Sequence, residues 1–151
     1  MATIVTAATL TVEVAESITL NGVSRNSSTT ASISSIGEIS NRIMSITNST
    51  NGTDIVNIGS GSGAGTFDKT AVKYLRFTNL DDTNFVTIQF TDESTHHWEL
   101  KLEAGKSLVI GDTSSIDDQA DIDNFSASAI TKIIGKADTA AVDLEVYIAS
   151  T

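Results

Sequence analysis

Strict alternation of apolar and polar side chains over residues 72–111 predicts a series of antiparallel β-strands. Residues 98–102 place tryptophan and leucine on one parity and charged side chains on the other, as a half-buried strand requires. A turn at 104–106 follows, and the alternation resumes over 107–110. The strand at 85–90 has the same period. We therefore expect 98–102 and 107–110 to pair as a hairpin within an antiparallel meander.

The same period indicates further strands at 9–20, 42–47, 55–58, 129–134 and 142–149. About eight strands, separated by loops every 10 to 15 residues or so, are typical of sandwiches and jelly rolls. The predicted fold is therefore all-β: an antiparallel β-sandwich, jelly-roll-like, with about eight strands and at most one or two short helical turns.

Four segments depart from alternation. Asn21 and Gly22 predict a tight turn at the end of the first strand, which we expect to bulge or bend near Ala15. Residues 23–32 are polar and predict an exposed loop. Isoleucines spaced by three and four favour one helical turn at 34–40, and the acidic stretch 112–124 predicts a loop with one further helical turn.

The length of 151 residues fits one domain. We expect that domain to span residues 9–151. Residues 1–8 contain Ile4 and Val5 but few polar groups, and they predict an N-terminal arm that becomes ordered against another chain. Ile4 and Val5 are accordingly candidate interface residues.

The formal net charge of −10 argues against nucleic acid and anionic membranes as partners, since binding to either depends on clustered Lys and Arg. The absence of cysteine excludes disulfides and thiolate metal sites. No stretch is apolar enough to span a bilayer, and the N-terminus does not have the pattern of a signal peptide. We expect a protein that is soluble where it is made.

Glycine and serine alternate over residues 59–65, which superficially matches both a dinucleotide fingerprint and the Gly-x-Ser-x-Gly nucleophile motif. Each motif requires a strand before it and a helix after it, and the following residues predict a strand. We interpret the segment as a flexible connector or intersubunit loop. Gly61, Gly63 and Gly65 are therefore further candidate interface residues.

His96 and His97 are neighbours on a predicted strand, so they point to opposite faces and cannot readily chelate one metal ion. We expect His96 to pack at the rim of the core, with a pH-sensitive interface contact as the alternative. The parity of Trp98 predicts a core side chain rather than a platform for sugar stacking.

One acidic loop concentrates carboxylates without the glycine and terminal glutamate of an EF-hand. We expect a solvated loop, with a calcium site that stabilises a lattice as the alternative. Its carboxylates belong to Asp112, Asp117, Asp118, Asp121 and Asp123.

Three sequence segments resemble small virion structural proteins of tailed bacteriophages: YLRFTNLD at 74–81, WELKLEAGKS at 98–107 and KADTAAVDLE at 136–145. The resemblance implies a non-enzymatic β-sandwich or jelly-roll subunit without a cofactor. It would act as a capsid cement or decoration protein on the outer surface of the virion, made in the host cytoplasm. Its partners would be the major capsid protein and copies of itself, for which a trimer would suit local threefold positions.

Two alternatives remain open. The same fold could serve as a tail, neck or adaptor component. It could also be a carbohydrate-binding jelly roll for host attachment, although that function needs exposed aromatic side chains, and parity places most of them in the core.

Overall fold

The computed structural model describes residues 5–61, 63, 65–111 and 130–151, and these form thirteen β-strands and no helix. The predicted all-β class, with antiparallel sheets packed as a sandwich, is confirmed, although the strands outnumber the predicted eight. The jelly-roll connectivity stays a prediction. The described residues contain no helix that is long and apolar enough to cross a membrane.

The chain divides into two compact units, Met1–Gly37 with Thr151, and Glu38–Ser150. The predicted boundary after residue 8 falls inside the first unit. The predicted arm 1–8 and single domain 9–151 stay predictions, because compactness does not test whether two units fold together.

The first unit is a β-hairpin. Strand β1 (Ala8–Glu16) pairs antiparallel with β4 (Ser27–Ile36), and β2 (Thr19–Leu20) pairs with β3 (Val23–Ser24) at the tip. The predicted Asn21-Gly22 turn is confirmed: φ is 50° and 78°, and a type I′ turn needs positive φ at both positions. The irregularity in the β1–β4 register lies between Ala8 and Leu10, not near Ala15.

The predicted loop at 23–32 is wrong, because these residues form β3 and most of β4. Alternation failed as a signal because serine and threonine occupy both faces of a strand whose side chains are exposed on either side. Threonine is β-branched and favours extended backbone without any buried face.

The second unit is the sandwich, in which two sheets enclose one apolar core. Sheet I has the order β10-β9-β12-β6-β7 and sheet II the order β11-β8-β13-β5. All pairs are antiparallel except β6 with β7. The strands of this unit are β5 (Glu38–Ile46), β6 (Thr53–Gly59), β7 (Thr66–Asp68), β8 (Val72–Asn79), β9 (Val86–Asp92), β10 (His97–Leu102), β11 (Ser107–Ile110), β12 (Ile130–Ala137) and β13 (Val142–Ser150).

Aliphatic side chains from both sheets fill the core, together with a pair of phenylalanines. Phe77 of sheet II and Phe90 of sheet I meet edge to face with ring centroids 6.2 Å apart. Gly135 lets the sheets approach closely, since a Cβ there would lie 3.0 Å from Ile55 Cδ1 and 3.1 Å from Ile46 Cγ2. Arg42 on the edge strand β5 donates a hydrogen bond to the carbonyl of Ile55, which ties sheet II to sheet I.

The predicted hairpin between 98–102 and 107–110 is wrong. β10 pairs with β9 in sheet I, whereas β11 pairs with β8 in sheet II. β8 and β9 likewise belong to different sheets, so the meander is interrupted at two connections. Alternation reveals which face of a strand is buried, but both sheets bury the same kind of face, so the period does not identify the neighbouring strand.

The predicted helical turn at 34–40 is also wrong, because β4 and β5 fill this segment apart from Gly37. Ile33 and Ile36 are three residues apart, which is a spacing typical of one face of a helix and led to the wrong prediction. Ser35, between them, has φ of 63°, which interrupts regular strand alternation.

Candidate interaction sites

One face of the hairpin carries an aliphatic stripe. Leu10 lies opposite Ile33, Val12 lies opposite Ala31, and Val14 continues the same face toward the tip. The opposite face presents serine, threonine and glutamate. Leu10, Val12 and Ile33 are only partly covered and Val14 is half exposed. The hairpin is therefore amphipathic, with an apolar face that remains accessible.

The tip of the hairpin exposes three more aliphatic side chains. Leu20 and Val23 are direct cross-strand partners beside the turn, with 58% and 53% of their surfaces exposed, and Ile18 is 54% exposed. The tip backbone is nevertheless well bonded, since Arg25 N donates to Ile18 O (2.8 Å) and Ile18 N donates to Asn26 Oδ1 (3.0 Å). We call Ile18, Leu20 and Val23 the apolar tip.

Charge is distributed unevenly along the chain. Residues 1–37 contain only Glu13, Glu16 and Arg25 as charged side chains, while the whole chain has 19 acidic and 9 basic residues. Nearly all of the negative charge therefore lies in residues 38–151 of the sequence. A surface with few charges loses little hydration energy when a partner covers it, so the hairpin is suited to burial in an interface.

The second unit carries a groove of about 510 Å³ on the outer face of sheet I, which we call the sheet I groove. Cross-strand pairing builds its floor: Glu99 of β10 lies opposite Gln89 of β9, which lies opposite Ile134 of β12. Gln89 Nε2 donates to Glu99 Oε1 over 2.8 Å. The other polar lining residues include Asn51, Thr87, Lys136 and Asp138.

Phe85 lines one end of the groove, and the loop before it is held by two polar side chains. The buried amide of Asn79 donates to the carbonyls of Asn84 and Leu102, over 2.9 and 3.1 Å. Asp81 Oδ1 accepts from the backbone N–H groups of Asn84 and Thr83, and these bonds lower the pKa of Asp81. The loop position of Phe85 is therefore set by hydrogen bonds.

The outer face of sheet II presents a cluster of mutually bonded side chains. Arg76 donates to Glu145 (2.8 Å) and Thr78 (2.7 Å), and it lies over the ring of Tyr147. Tyr147 in turn meets Tyr74 edge to face, and burial raises the pKa of Tyr74. Because these polar groups bind one another, we interpret the cluster as a stabilising one.

His96 lies in the turn before β10, and His97 is the first residue of that strand. His96 Nδ1 is 3.2 Å from Asp92 Oδ2, and the Asp92 carboxylate also accepts from the backbone N–H of Ser94 and of His96 itself. The prediction that both histidines lie on one strand is wrong, because β10 begins at His97. Packing of His96 at the rim of the core, and its alternative as a pH-sensitive interface contact, stay predictions. Among the described residues no group of three or more His, Cys, Asp or Glu side chains could hold a metal ion.

Trp98 is 40% exposed, so the prediction of a buried core side chain is only half right. Its ring packs on Phe90, with centroids 5.2 Å apart. β10 is an edge strand of sheet I, so the core covers Trp98 from one side only.

The described candidate interface residues belong to both units. Val5 is 70% exposed, and Gly61, Gly63 and Gly65 are exposed in the loop between β6 and β7, where Gly63 exchanges two backbone hydrogen bonds with Thr66. Their role in an interface stays a prediction. Ile4, the predicted solvated acidic loop with its alternative calcium site, and the predicted helical turn within 112–124 lie outside the described residues.

Sequence reasoning missed both the apolar tip and the sheet I groove. The tip was interpreted as an ordinary strand end, although its position beside a two-residue turn was a signal of exposure. The groove requires the pairing of β9 with both β10 and β12, which alternation does not give.

Comparison of this chain with protein-family descriptions, curated proteins and solved structures finds no match.

Proposed function

We propose that this chain is a non-enzymatic virion structural protein that binds the outer surface of a phage capsid as a cement or decoration protein. The resemblance of its sequence phrases to small virion proteins motivates the proposal. The observation that carries it is the apolar tip, three exposed aliphatic side chains on a hairpin with few charges.

The apolar tip supports protein binding energetically. Burying an aliphatic side chain fully contributes about 1.5 to 3 kcal/mol before the costs of association. Solvent exposure of three such side chains on a bonded turn leaves that energy available for a partner. An isolated two-stranded hairpin is marginally stable in water, so a partner would also stabilise it.

The edges of the hairpin offer a second means of attachment. Within the described part of the chain, β1 and β4 pair only with each other, so each has one edge without a strand neighbour. Main-chain groups on such an edge can add to the sheet of a capsid subunit, or to that of a second copy of this chain in a homo-oligomer.

The experiment uses shells that lack this protein. The full-length chain, added back, is expected to cosediment with the shells and to raise the temperature at which they release DNA. A triple variant of the apolar tip, Ile18→Ser, Leu20→Ser and Val23→Ser, is expected to bind at least about tenfold more weakly, because the buried aliphatic surface is lost.

A matched triple variant provides the control. Ile39, Ile43 and Val109 are comparably exposed aliphatic residues of the sandwich, and replacing all three by serine is expected to leave shell binding unchanged. Failure of the wild-type chain to bind shells would overturn the decoration function. Loss of binding in the control triple alone would move the contact to the sandwich. Immunogold labelling confined to the tail or one vertex would favour the tail, neck or adaptor alternative.

A further inference from the structure

We infer that the sheet I groove binds a neutral pyranose of a glycan. Polar side chains with unused hydrogen-bonding capacity line its floor, and apolar surface lies beside them. This inference goes beyond shell binding, since the groove belongs to the sandwich and the proposed shell contact belongs to the hairpin. A decorated particle would thereby gain affinity for glycan-coated surfaces.

Gln89 and Glu99 form the centre of the proposed binding site. Their one mutual hydrogen bond uses a single N–H of Gln89 and one oxygen of Glu99. Within the described residues this leaves the second carboxylate oxygen, the amide oxygen and the second amide N–H without a protein partner. A sugar hydroxyl both donates and accepts, so neighbouring hydroxyls of one ring can bind both side chains together.

Other groups around the pair extend the same chemistry. Thr87 lies two residues before Gln89 on β9 and on the same face of the strand, opposite Lys136 of β12. Thr87 offers a hydroxyl and Lys136 offers N–H donors, and both line the groove with Asn51. The site therefore presents donors and acceptors in mixture, as a ligand made of hydroxyl groups requires.

Apolar lining supplies the remaining requirement. Phe85 and Ile134 line the groove. Lys101 Nζ lies over the Phe85 ring, 4.2 Å from its centroid, so a sugar would contact the part of the ring that the ammonium leaves uncovered. The C–H face of a pyranose is apolar and can pack on exposed ring or aliphatic surface. The hydrogen bonds of Asn79 and Asp81 fix the loop before Phe85, so its position is prepared before a ligand arrives.

The lining argues against other ligand classes. A phosphate would meet the ammonium of Lys136, and that of Lys101 beside Phe85, but also the repelling carboxylates of Glu99 and Asp138. A hydrophobic ligand would leave the floor of amide, hydroxyl and carboxylate groups unpaired. A volume of about 510 Å³ lies within the usual range for small-molecule sites, which is roughly 300 to 1,000 Å³.

The experiment is a glycan array with the full-length chain, followed by calorimetric titration of the sugar that is retained best. We expect binding to at least one neutral glycan, and we expect it to persist in 0.5 M NaCl, because no net charge on the ligand is involved. Glu99→Gln and Gln89→Ala are each expected to weaken binding about tenfold or more, and Phe85→Leu by a smaller factor.

Glu93→Gln is the matched control. Glu93 is exposed, its removal changes the charge as Glu99→Gln does, and it forms a surface ion pair with Lys69 away from the groove lining. We expect it to bind glycan as the wild type does. Thermal melts would verify folding. If Phe85→Leu fails to fold, the Glu99→Gln variant, which changes an exposed residue, tests whether the groove binds the glycan. The inference is overturned if no neutral glycan binds, if the groove variants bind like the wild type, or if only anionic glycans bind and salt abolishes that binding.

Discussion

The hairpin and the sandwich are built from the same strand-forming residues but differ in what those residues bury. In the sandwich, side chains such as Phe77, Phe90 and Leu144 are completely buried between two sheets. In the described part of the hairpin, Ile36 is the one buried side chain, while Leu20 and Val23 at the tip are more than half exposed.

This difference separates stability from binding. Burial of apolar surface is the dominant favourable contribution to folding, so the free energy of unfolding must arise mainly in the sandwich. Exposed aliphatic side chains contribute little to the folded chain alone but gain energy when a partner covers them. The hairpin is accordingly the segment in which mutations should affect association more than folding.

The largest expected effect comes from replacing one large apolar side chain in each unit. Phe77→Ala removes a fully buried ring and its edge-to-face contact with Phe90, and we expect it to lower the free energy of unfolding by about 3 to 5 kcal/mol. Leu20→Ala removes exposed surface, and we expect a change within about 0.5 kcal/mol. Urea unfolding followed by tryptophan fluorescence measures both.

A loss in the free energy of unfolding as large for Leu20→Ala as for Phe77→Ala would contradict this difference between the two units. That result would mean that the tip is buried in the isolated protein, and the apolar tip could then not serve as a free contact surface.

Glycine-to-alanine changes, one in each unit, are expected to have smaller effects of two different kinds. Gly135→Ala places a methyl group 3.0 Å from Ile55 Cδ1 in the core, and we expect it to cost about 1 to 3 kcal/mol through overpacking. Gly22→Ala meets no atom within 4 Å, but its φ of 78° is unfavourable for alanine by about 1 to 2 kcal/mol. Because that strain is confined to the hairpin tip, the main thermal transition should not move.

A second-site change distinguishes the two mechanisms. Ile55→Val removes the Cδ1 atom that the new methyl group meets, so it should recover part of the loss in Gly135→Ala. Ile55→Val alone must be measured as well, because it also removes buried surface; losses that simply add in the double variant would contradict an overpacked core. For Gly22→Ala, hydrogen exchange should accelerate at the tip amides alone, and a lowered main transition would contradict a local effect.

The sequence predicted the sandwich because alternation records burial, and burial is strong there. Strand β13 is the clearest case: Val142, Leu144, Val146 and Ile148 alternate with polar or partly exposed residues, and all four are fully buried. The same reasoning failed for β4, where Ile36 at the end is the one buried residue and serine and threonine give no period.

Pairing partners and sites were less accessible to sequence reasoning. The turn of Ala104, Gly105 and Lys106 resembles a hairpin loop, yet it connects a strand of sheet I to one of sheet II. The Gln89–Glu99 pair depends on the register between β9 and β10, a long-range property that alternation does not encode. Exposure of the apolar tip could have been inferred from the Asn21-Gly22 turn, which places its flanking residues at the end of a two-stranded ribbon.

The smallest expected effect concerns one carboxylate in each unit and depends on pH. Backbone N–H groups of Asn84 and Thr83 hold the pKa of Asp81 below its ordinary value of 3.8. A carboxyl whose pKa is lower in the folded state stabilises folding above its unfolded-state pKa, and this contribution is lost as the pH falls through the folded-state pKa. Asp81→Asn should therefore lower stability at pH 7, and the difference from wild type should shrink below about pH 4.

Glu13→Gln is the hairpin counterpart. Glu13 Oε1 accepts one hydrogen bond, from the exposed hydroxyl of Ser28, so we expect no change in the unfolding transition at either pH. Thermal unfolding of the wild type and of both variants between pH 7 and pH 2.5 measures how each change in stability depends on pH. If the difference in stability between Asp81→Asn and the wild type stayed constant to the lowest pH, the loss of stability would come from altered loop geometry rather than from charge. A pH-dependent loss in Glu13→Gln would show that the hairpin contributes to the cooperative stability that we assign to the sandwich.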